Sequence, residues 1–352
     1  MGDFTERVKR KNKYNLSKLP LTISAKYGLV DQITFFNKIV ASTDMSNYYL
    51  LKKGDFAYNK SYSNDYPWGA IKRLDNYEQG VLSALYICFT TQDNVESDFI
   101  LQYFESPKWH KSVSEIAVEG ARNHGLLNIS VQDFFQTYHY VPKEKKEQTK
   151  IATLLHLIDE RISTQNKIIE KLESLIKGIA QNIVRYNKAN VRLSDCLSCS
   201  SSTLQESDVS EHGTYPVYGA NGVVGYLDNY NTENEAIYII KDGSGVGSTS
   251  YVMGKCSATG TLNILRAKEG YSLQYLYYML KVFNFEPYKT GMAMPHIYFK
   301  DYGKAKVFCP TYKEQLQYAR LLSAIDKRLT VEHRLLTNLS LQKQYLLRQM
   351  FI

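Results

Sequence analysis

The chain has 352 residues, 44% of them hydrophobic, and 43 Lys and Arg against 35 Asp and Glu give it a formal charge of +8. No apolar run approaches the roughly eighteen residues of a membrane span, and the charged N-terminus argues against a secretory signal. Five cysteines in so long a chain do not resemble a disulfide framework, so a reducing cytoplasm is expected, and the positive balance leans toward a polyanionic partner.

The length allows two or three domains with their own cores. The first 37 residues are basic at the outset, with Arg7, Lys9, Arg10, Lys11 and Lys13 ahead of Pro20. Such a cluster serves either as a solvated face or as a DNA contact. Residues 48–51 and 56–58, around Lys52, Lys53, Gly54 and Asp55, read as strand, tight turn, strand. Tyrosine is abundant, with 29 residues. Tyr62, Tyr66 and Trp68 fall among Lys60, Lys72 and Arg73, a mixture of rings and cations suited to a groove or to phosphates, although tyrosines also fill half-buried strands. An apolar strand is expected over 81–89 and a helix over Ser97–Glu105, so the first globule is mixed α and β. Arg122, Asn123 and His124 then sit in a turn bracketed by Gly120 and Gly125. Arginine matches the acceptor pair of guanine and asparagine the donor and acceptor of adenine, which makes the turn a candidate for base reading; glycine-flanked turns are also polar for plainer reasons.

From 143 to 184 the sequence predicts one long helix, with no proline and no glycine before Gly178. Ile151, Leu155, Ile158, Ile162, Ile169, Leu172 and Ile176 recur in steps of four and three, the seam of a coiled coil interrupted only by Gln165. Its partner lies in the same chain. Glu314, Gln315, Ala319, Leu322, Ile325, Asp326, Arg328 and Leu339 repeat Glu147, Gln148, Ala152, Leu155, Ile158, Asp159, Arg161 and Leu172 at a constant offset of 167 residues. Two copies of one unit are expected, with Leu322, Ile325, Leu329, Leu339 and Leu346 on the second seam. Pro142 opens the first helix, and Pro310 with Thr311 and Glu314 forms a capping box at the second. Glu173 and Lys177 are spaced for an ion pair along the helix, and Gln165 and Glu332 place a polar group at the middle of each seam, a device for fixing register.

In the second globule Cys196 and Cys199 form a lone Cys-x-x-Cys with no second pair, and His212 does not complete four ligands, so no metal is expected. Residues 215–226 alternate aromatic and turn-forming residues, Ala236–Ile240 is a strand, and 242–248 is a glycine-rich turn. Its glycines do not follow the dinucleotide spacing and β-like sequence comes next, so a phosphate contact with Lys241, Ser244 and Ser248 is the better reading. A strand over 262–265 and a helix over 272–282 lead to a loop carrying Lys289, Met292, Met294 and His296. That loop is the positional counterpart of the Arg122 turn.

The run 215–226, the segment Gly54-Asp55-Phe56, the glycine loops before Asn128-Ile129 and His296-Ile297, and the two Pro, Glu-Gln, long-helix units resemble the specificity subunit of a type I restriction-modification system. The resemblance covers essentially the whole chain. It implies an α+β chain with two mixed α/β target-recognition domains, 1–141 and 188–309, and two long antiparallel spacer helices, 142–187 and 310–352, in a pseudo-twofold internal repeat. It further implies binding of double-stranded DNA at a split target, two DNA adenine methyltransferase subunits docked chiefly on the helices, and restriction/translocase subunits joined through that complex. No catalysis is expected here. The adenine methyltransferase motif and the phosphate loop are absent from the sequence, so S-adenosylmethionine, ATP and Mg belong to partner subunits. The short lead-in strand that family members carry before the segment matching Met1-Gly2-Asp3 has no match, so a shortened first domain is expected. Two rival readings remain open, a stand-alone DNA-binding regulator and, more weakly, a metal-dependent hydrolase built on Cys196 and Cys199.

Overall fold

The computed structural model describes residues 1–117, 126–291 and 293–351. The chain divides into two units, Met1–Thr164 with Leu336–Ile352, and Gln165–Leu335.

In the first unit β1 (Thr5–Arg7), β2 (Phe56–Asn59), β3 (Ala70–Arg73) and β4 (Ile87–Thr91) form an antiparallel sheet in the order β1-β4-β2-β3. Successive side chains of a strand point to opposite faces, and both faces here are apolar. Phe56, Tyr58, Ile87 and Phe89 join a core with Phe99, Ile100, Tyr103 and Phe104 of α1 (Ser97–Glu105). Cross-strand partners Phe56 and Phe89 stack at 5.3 Å. Ala57 and Cys88 face the other way, against Leu21, Ile23, Leu51 and Leu82 of two short ribbons, Leu21–Ser24 with Gly28–Asp31 and Tyr49–Lys52 with Gln79–Leu82.

One expectation is corrected here. The single strand over 81–89 is two, because a turn at 83–86, closed by Tyr86 N–H on the Ser83 carbonyl (3.3 Å), sends Gln79–Leu82 to a ribbon and β4 to the sheet. The expected strand, tight turn, strand around Gly54 is present, and its two strands go to different partners, Tyr49–Lys52 to Gln79–Leu82 and β2 to β3 and β4.

The first long helix, α2 (Lys145–Tyr186), begins and ends two residues later than expected. In the second unit β5 (Leu197–Ser201), β6 (Ala236–Ile240), β7 (Thr249–Val252) and β8 (Leu262–Ala267) take the order β5-β8-β6-β7, which is the first sheet's pattern again. After it come α3 (Leu273–Lys281), capped by the Ser272 hydroxyl, and α4 (Tyr312–Gln349).

The repeat extends to individual hydrogen bonds. Buried Gln148 accepts from the Glu96 N–H at the mouth of α1 (2.7 Å) and donates to the Pro142 carbonyl (2.7 Å). Gln315 does the same at the mouth of α3, accepting from Ser272 N–H and donating to the Pro310 carbonyl, both at 2.9 Å. About three turns further along each long helix, Gln102 of α1 donates to Asp159 (3.0 Å) and Tyr278 of α3 to Asp326 (3.3 Å). Gly2 N–H meets the Phe135 carbonyl (2.9 Å) as Ser194 N–H meets that of Gly303 (2.8 Å), so the correspondence of Met1-Gly2 with Leu193-Ser194 holds in the hydrogen bonding.

The two long helices pack on each other within each unit. In the first, Ile151, Ala152 and Leu155 share a core with Leu347 and Phe351, and Lys343 pairs with Asp159 at 2.5 Å. In the second, the Gln165 amide donates to both the carbonyl and the carboxylate of Glu332, which also pairs with Arg328. Of the expected seam, Ile151, Leu155, Ile158, Ile169, Ile176, Leu322, Leu329 and Leu339 are buried, and Ile162, Leu172, Ile325 and Leu346 half-buried. Glu173 lies against His333 of α4 at 3.7 Å, across the helix pair instead of along the helix to Lys177. Thr311 N–H and hydroxyl both donate to Glu314 (3.0 and 2.7 Å), the carboxylate half of the expected capping box, and the Thr311 bonds hold the Glu314 carboxyl below its ordinary range.

Two predictions follow from these contacts. Replacing Gln148 or Gln315 by Leu strands an N–H and a carbonyl that are at least partly buried and costs about 2 kcal/mol at each site, measured by the denaturant midpoint, whereas exposed Gln181→Leu leaves the midpoint within about 0.5 kcal/mol. His139 sits among Phe4, Tyr103 and Phe104 and bonds the Tyr103 and Thr137 hydroxyls, each at 2.8 Å. Burial pushes its pKa down from 6.5 to about 3. The unfolded chain then binds the proton more readily, so the stability His139 contributes is intact above pH 6.5 and falls by up to about 1.4 kcal/mol per pH unit as pH drops toward 3. Stability against pH for His139→Phe will lack that slope.

Candidate nucleic-acid interface

The second unit brings its two candidate segments together. The glycine-rich turn after β6 is tied to the later loop by Gly243 N–H on the Pro295 carbonyl (2.9 Å) and by Ile297 N–H on the Lys241 carbonyl (2.9 Å). The loop closes on itself through reciprocal bonds between Thr290 and His296, at 2.9 and 2.8 Å. Gly291 is required there: its φ is +88°, and a Cβ would stand 2.4 Å from the Met294 carbonyl oxygen. Ser244, Ser248 and Met294 are exposed on this tip. His296 Nδ1 donates to the Met294 carbonyl at 3.1 Å.

The cations of this group are less free than the sequence suggested. Lys289 pairs with Glu286 at 2.6 Å, and Lys241 is half-buried. Two residues missed by the sequence reading adjoin the tip, Tyr298, whose ring meets His296 at 5.3 Å, and exposed Lys300, whose ammonium lies 5.1 Å from the Tyr298 ring centre. The signal was present as an aromatic and a lysine two positions apart just beyond the loop. Met292 lies outside the described residues.

In the first unit the candidates divide. Lys60 Nζ donates to the Ile129 carbonyl at 3.1 Å, and burial lowers its pKa. Lys72 pairs with Glu105 at 2.5 Å, and Arg73 with Asp75 and Asp98, both at 2.7 Å. Trp68 packs against the core, and its carbonyl accepts from the Tyr58 hydroxyl (2.8 Å). Tyr62 and Tyr66 remain exposed. Tyr66 and Lys72 line a cavity of about 260 Å³ with Glu105, Trp109, His110 and Arg348. Arg122, Asn123 and His124 lie outside the described residues.

The lone Cys-x-x-Cys is split. Cys196 is buried, its Sγ donating to the Arg192 and Leu193 carbonyls at 3.4 Å, and neighbouring Cys309 together with burial pushes its thiol up, while burial pushes Cys199 up to about 11. Among the described residues no three of His, Cys, Asp and Glu converge as metal ligands, and no helix is long and apolar enough to cross a membrane.

Residues 187–341 match the type I restriction modification DNA specificity domain. That segment carries the type I restriction-modification DNA specificity domain. Over 112 residues the chain is 25% identical to the type I restriction enzyme EcoprrI specificity subunit of Escherichia coli, and over 123 residues 26% identical to a putative specificity subunit of Haemophilus influenzae. These matches cover 32% and 34% of this chain but span only 28% and 32% of those two relatives. A putative type I specificity subunit of Mycoplasma genitalium is 22% identical over 282 residues, 74% of this chain and 72% of the relative. The crystal structure of the type I S subunit from M. genitalium superposes with a TM-score of 0.66 at 17% identity, covering 100% of this chain and 94% of that one. A chain from a structural study of type I restriction-modification assembly and conformational transition gives 0.56 at 16% identity, covering 98% and 95%. Both share the fold.

The geometry of the second tip makes a graded prediction. Gly243→Ala meets open space at φ +94° and costs about 1 kcal/mol, whereas Gly291→Ala must also displace a carbonyl and costs at least about 1 kcal/mol more. Chemical denaturation of the two variants side by side measures the difference.

Proposed function

We propose that the chain is the DNA-specificity subunit of a type I restriction-modification complex. Each unit carries one target-recognition domain and reads one half of a split site, through the loop at 289–296 in one and the Arg122 turn in the other. Phosphate contacts supply affinity, and base edges in the grooves supply the choice of sequence. The continuous helices α2 and α4 set the gap between half-sites, so two weak bindings combine only where the DNA presents both. Two adenine methyltransferase subunits dock on the helical regions, and restriction subunits join that core. The chain itself is not an enzyme, and S-adenosylmethionine, ATP and Mg act on its partners.

The observation that carries this reading is the duplication. Two units of one sequence repeat the same strand order and the same glutamine bridge, yet 289–296 and 120–125 share no residue pattern. Similar frames with unlike tips suit two different half-sites. The family match over 187–341 supports it independently.

The test uses the chain coexpressed with its cognate methyltransferase, with modified adenines mapped in the host DNA. Inserting four residues into both α2 and α4 adds about 6 Å, close to two base-pair steps, and will lengthen the gap while leaving each half-site as it was. An unchanged gap in an active complex rejects the spacer.

A further inference from the structure

Residues 7–40 hold eight Lys and Arg and a single carboxylate, Asp31, a net of +7 in a chain whose total is +8. Four of the eight are engaged within the fold, among them Lys26, whose ammonium lies 5.3 Å from the centre of the Tyr27 ring. Arg10 pairs with Asp55, Arg7 donates to the Tyr49 hydroxyl at 3.1 Å, and Lys11 lies 3.7 Å from the centre of the Tyr49 ring. Lys9, Lys13, Lys18, Lys26 and Lys38 are exposed and form no ion pair among the described residues. So many unpaired like charges on one short segment repel one another until a polyanion approaches.

The segment is built, not slack. Buried Asn12 donates to the Ser17 carbonyl and accepts from Ser17 N–H, both at 3.0 Å, closing a tip over 13–16 in which every side chain is exposed. Tyr14 stands on that tip, 94% exposed at a φ of +60°, and Asn15 follows at +50°. A tyrosine in left-handed backbone with its ring in water gains nothing from the fold that holds it there. The ribbon that follows carries Lys26 and Tyr27 at its turn, where Lys26 is a charged neighbour of Tyr66. Gln32 N–H on the Pro20 carbonyl (2.8 Å) joins the foot of the tip to the short helix Gln32–Phe36, which exposes Phe35 and Phe36 edge to face at 5.1 Å beside Lys38.

We propose that this basic surface is a duplex-DNA contact of the first unit. Its free lysines meet phosphates, and Tyr14 packs against the sugar or the edge of a base. Lysines are strongly hydrated point charges suited to phosphate, and interleaved aromatic rings suit a groove better than they suit an apolar protein face. The inference rests on the DNA-binding reading given above and adds to it a place of contact that the family match, confined to 187–341, does not reach.

The test is anisotropy of a fluorescent mixed-sequence duplex of about 40 base pairs titrated with the full chain between about 50 and 200 mM salt. Combined Lys13→Gln, Lys18→Gln, Lys26→Gln and Lys38→Gln is expected to lower the slope of log affinity against log salt by about 0.9 for each lysine that reaches a phosphate. Tyr14→Gly removes the ring and relieves the left-handed φ, so affinity is expected to fall about tenfold while the denaturant midpoint holds or rises. A purely structural tyrosine could not give that split. If the wild type binds and both variants keep its affinity and slope, the surface serves another partner, such as the methyltransferase, and the proposal is overturned while DNA binding stands. A folded wild type that binds no duplex overturns both.

Discussion

A buried side-chain amide at the first turn of each long helix organises its unit. Glutamine suits the place because one planar group accepts and donates at once, and both of its neighbours are backbone groups left over by helix starts and proline turns. Gln148 satisfies the N–H at the mouth of α1 and the Pro142 carbonyl, and Gln315 the N–H at the mouth of α3 and the Pro310 carbonyl. The small helix is thereby fixed to the long one before any apolar contact is considered. Because α1 also supplies Phe99 and Phe104 to the sheet core, the direction of the long helix is set relative to the sheet.

The long helices were legible because their seam repeats over many turns, and Ser97–Glu105 because its cap and apolar face are local. Pairing was not. Nothing in the sequence near Gly54 says that β2 and its preceding strand belong to different sheets, since that choice is made by Gln79–Leu82 and Ile87–Thr91 far along the chain. The site was read least well for the same reason. Lys72 and Arg73 looked like free cations beside aromatic residues, but Glu105 and Asp98 reach them only once α1 has packed. Residues 289–296 were placed by their position after α3, but that they close against the turn after β6 was not legible in the sequence.

Gln165 and Glu332 illustrate a reading of both kinds. Their equal positions in the repeat were evident from the offset of 167 residues, and the polar pair they make is a direct hydrogen bond between α2 and α4. The bond to Gln165 holds the Glu332 carboxyl below its ordinary range, with Arg328 contributing, so the group stays charged among apolar neighbours. A polar contact inside an apolar seam weakens packing locally but penalises any shift in register, because a slip would take the Gln165 amide away from Glu332. In the proposed function that register matters, since the gap between half-sites depends on it.

Independence of the two readers is the centre of the account. It is tested most directly by replacing residues 188–309 with the corresponding segment of a different specificity subunit and mapping the modified adenines made by the complex. One half of the methylated site should change, with the other half and the gap preserved. A change in both halves, from a chain that folds and still supports methylation, would contradict the account.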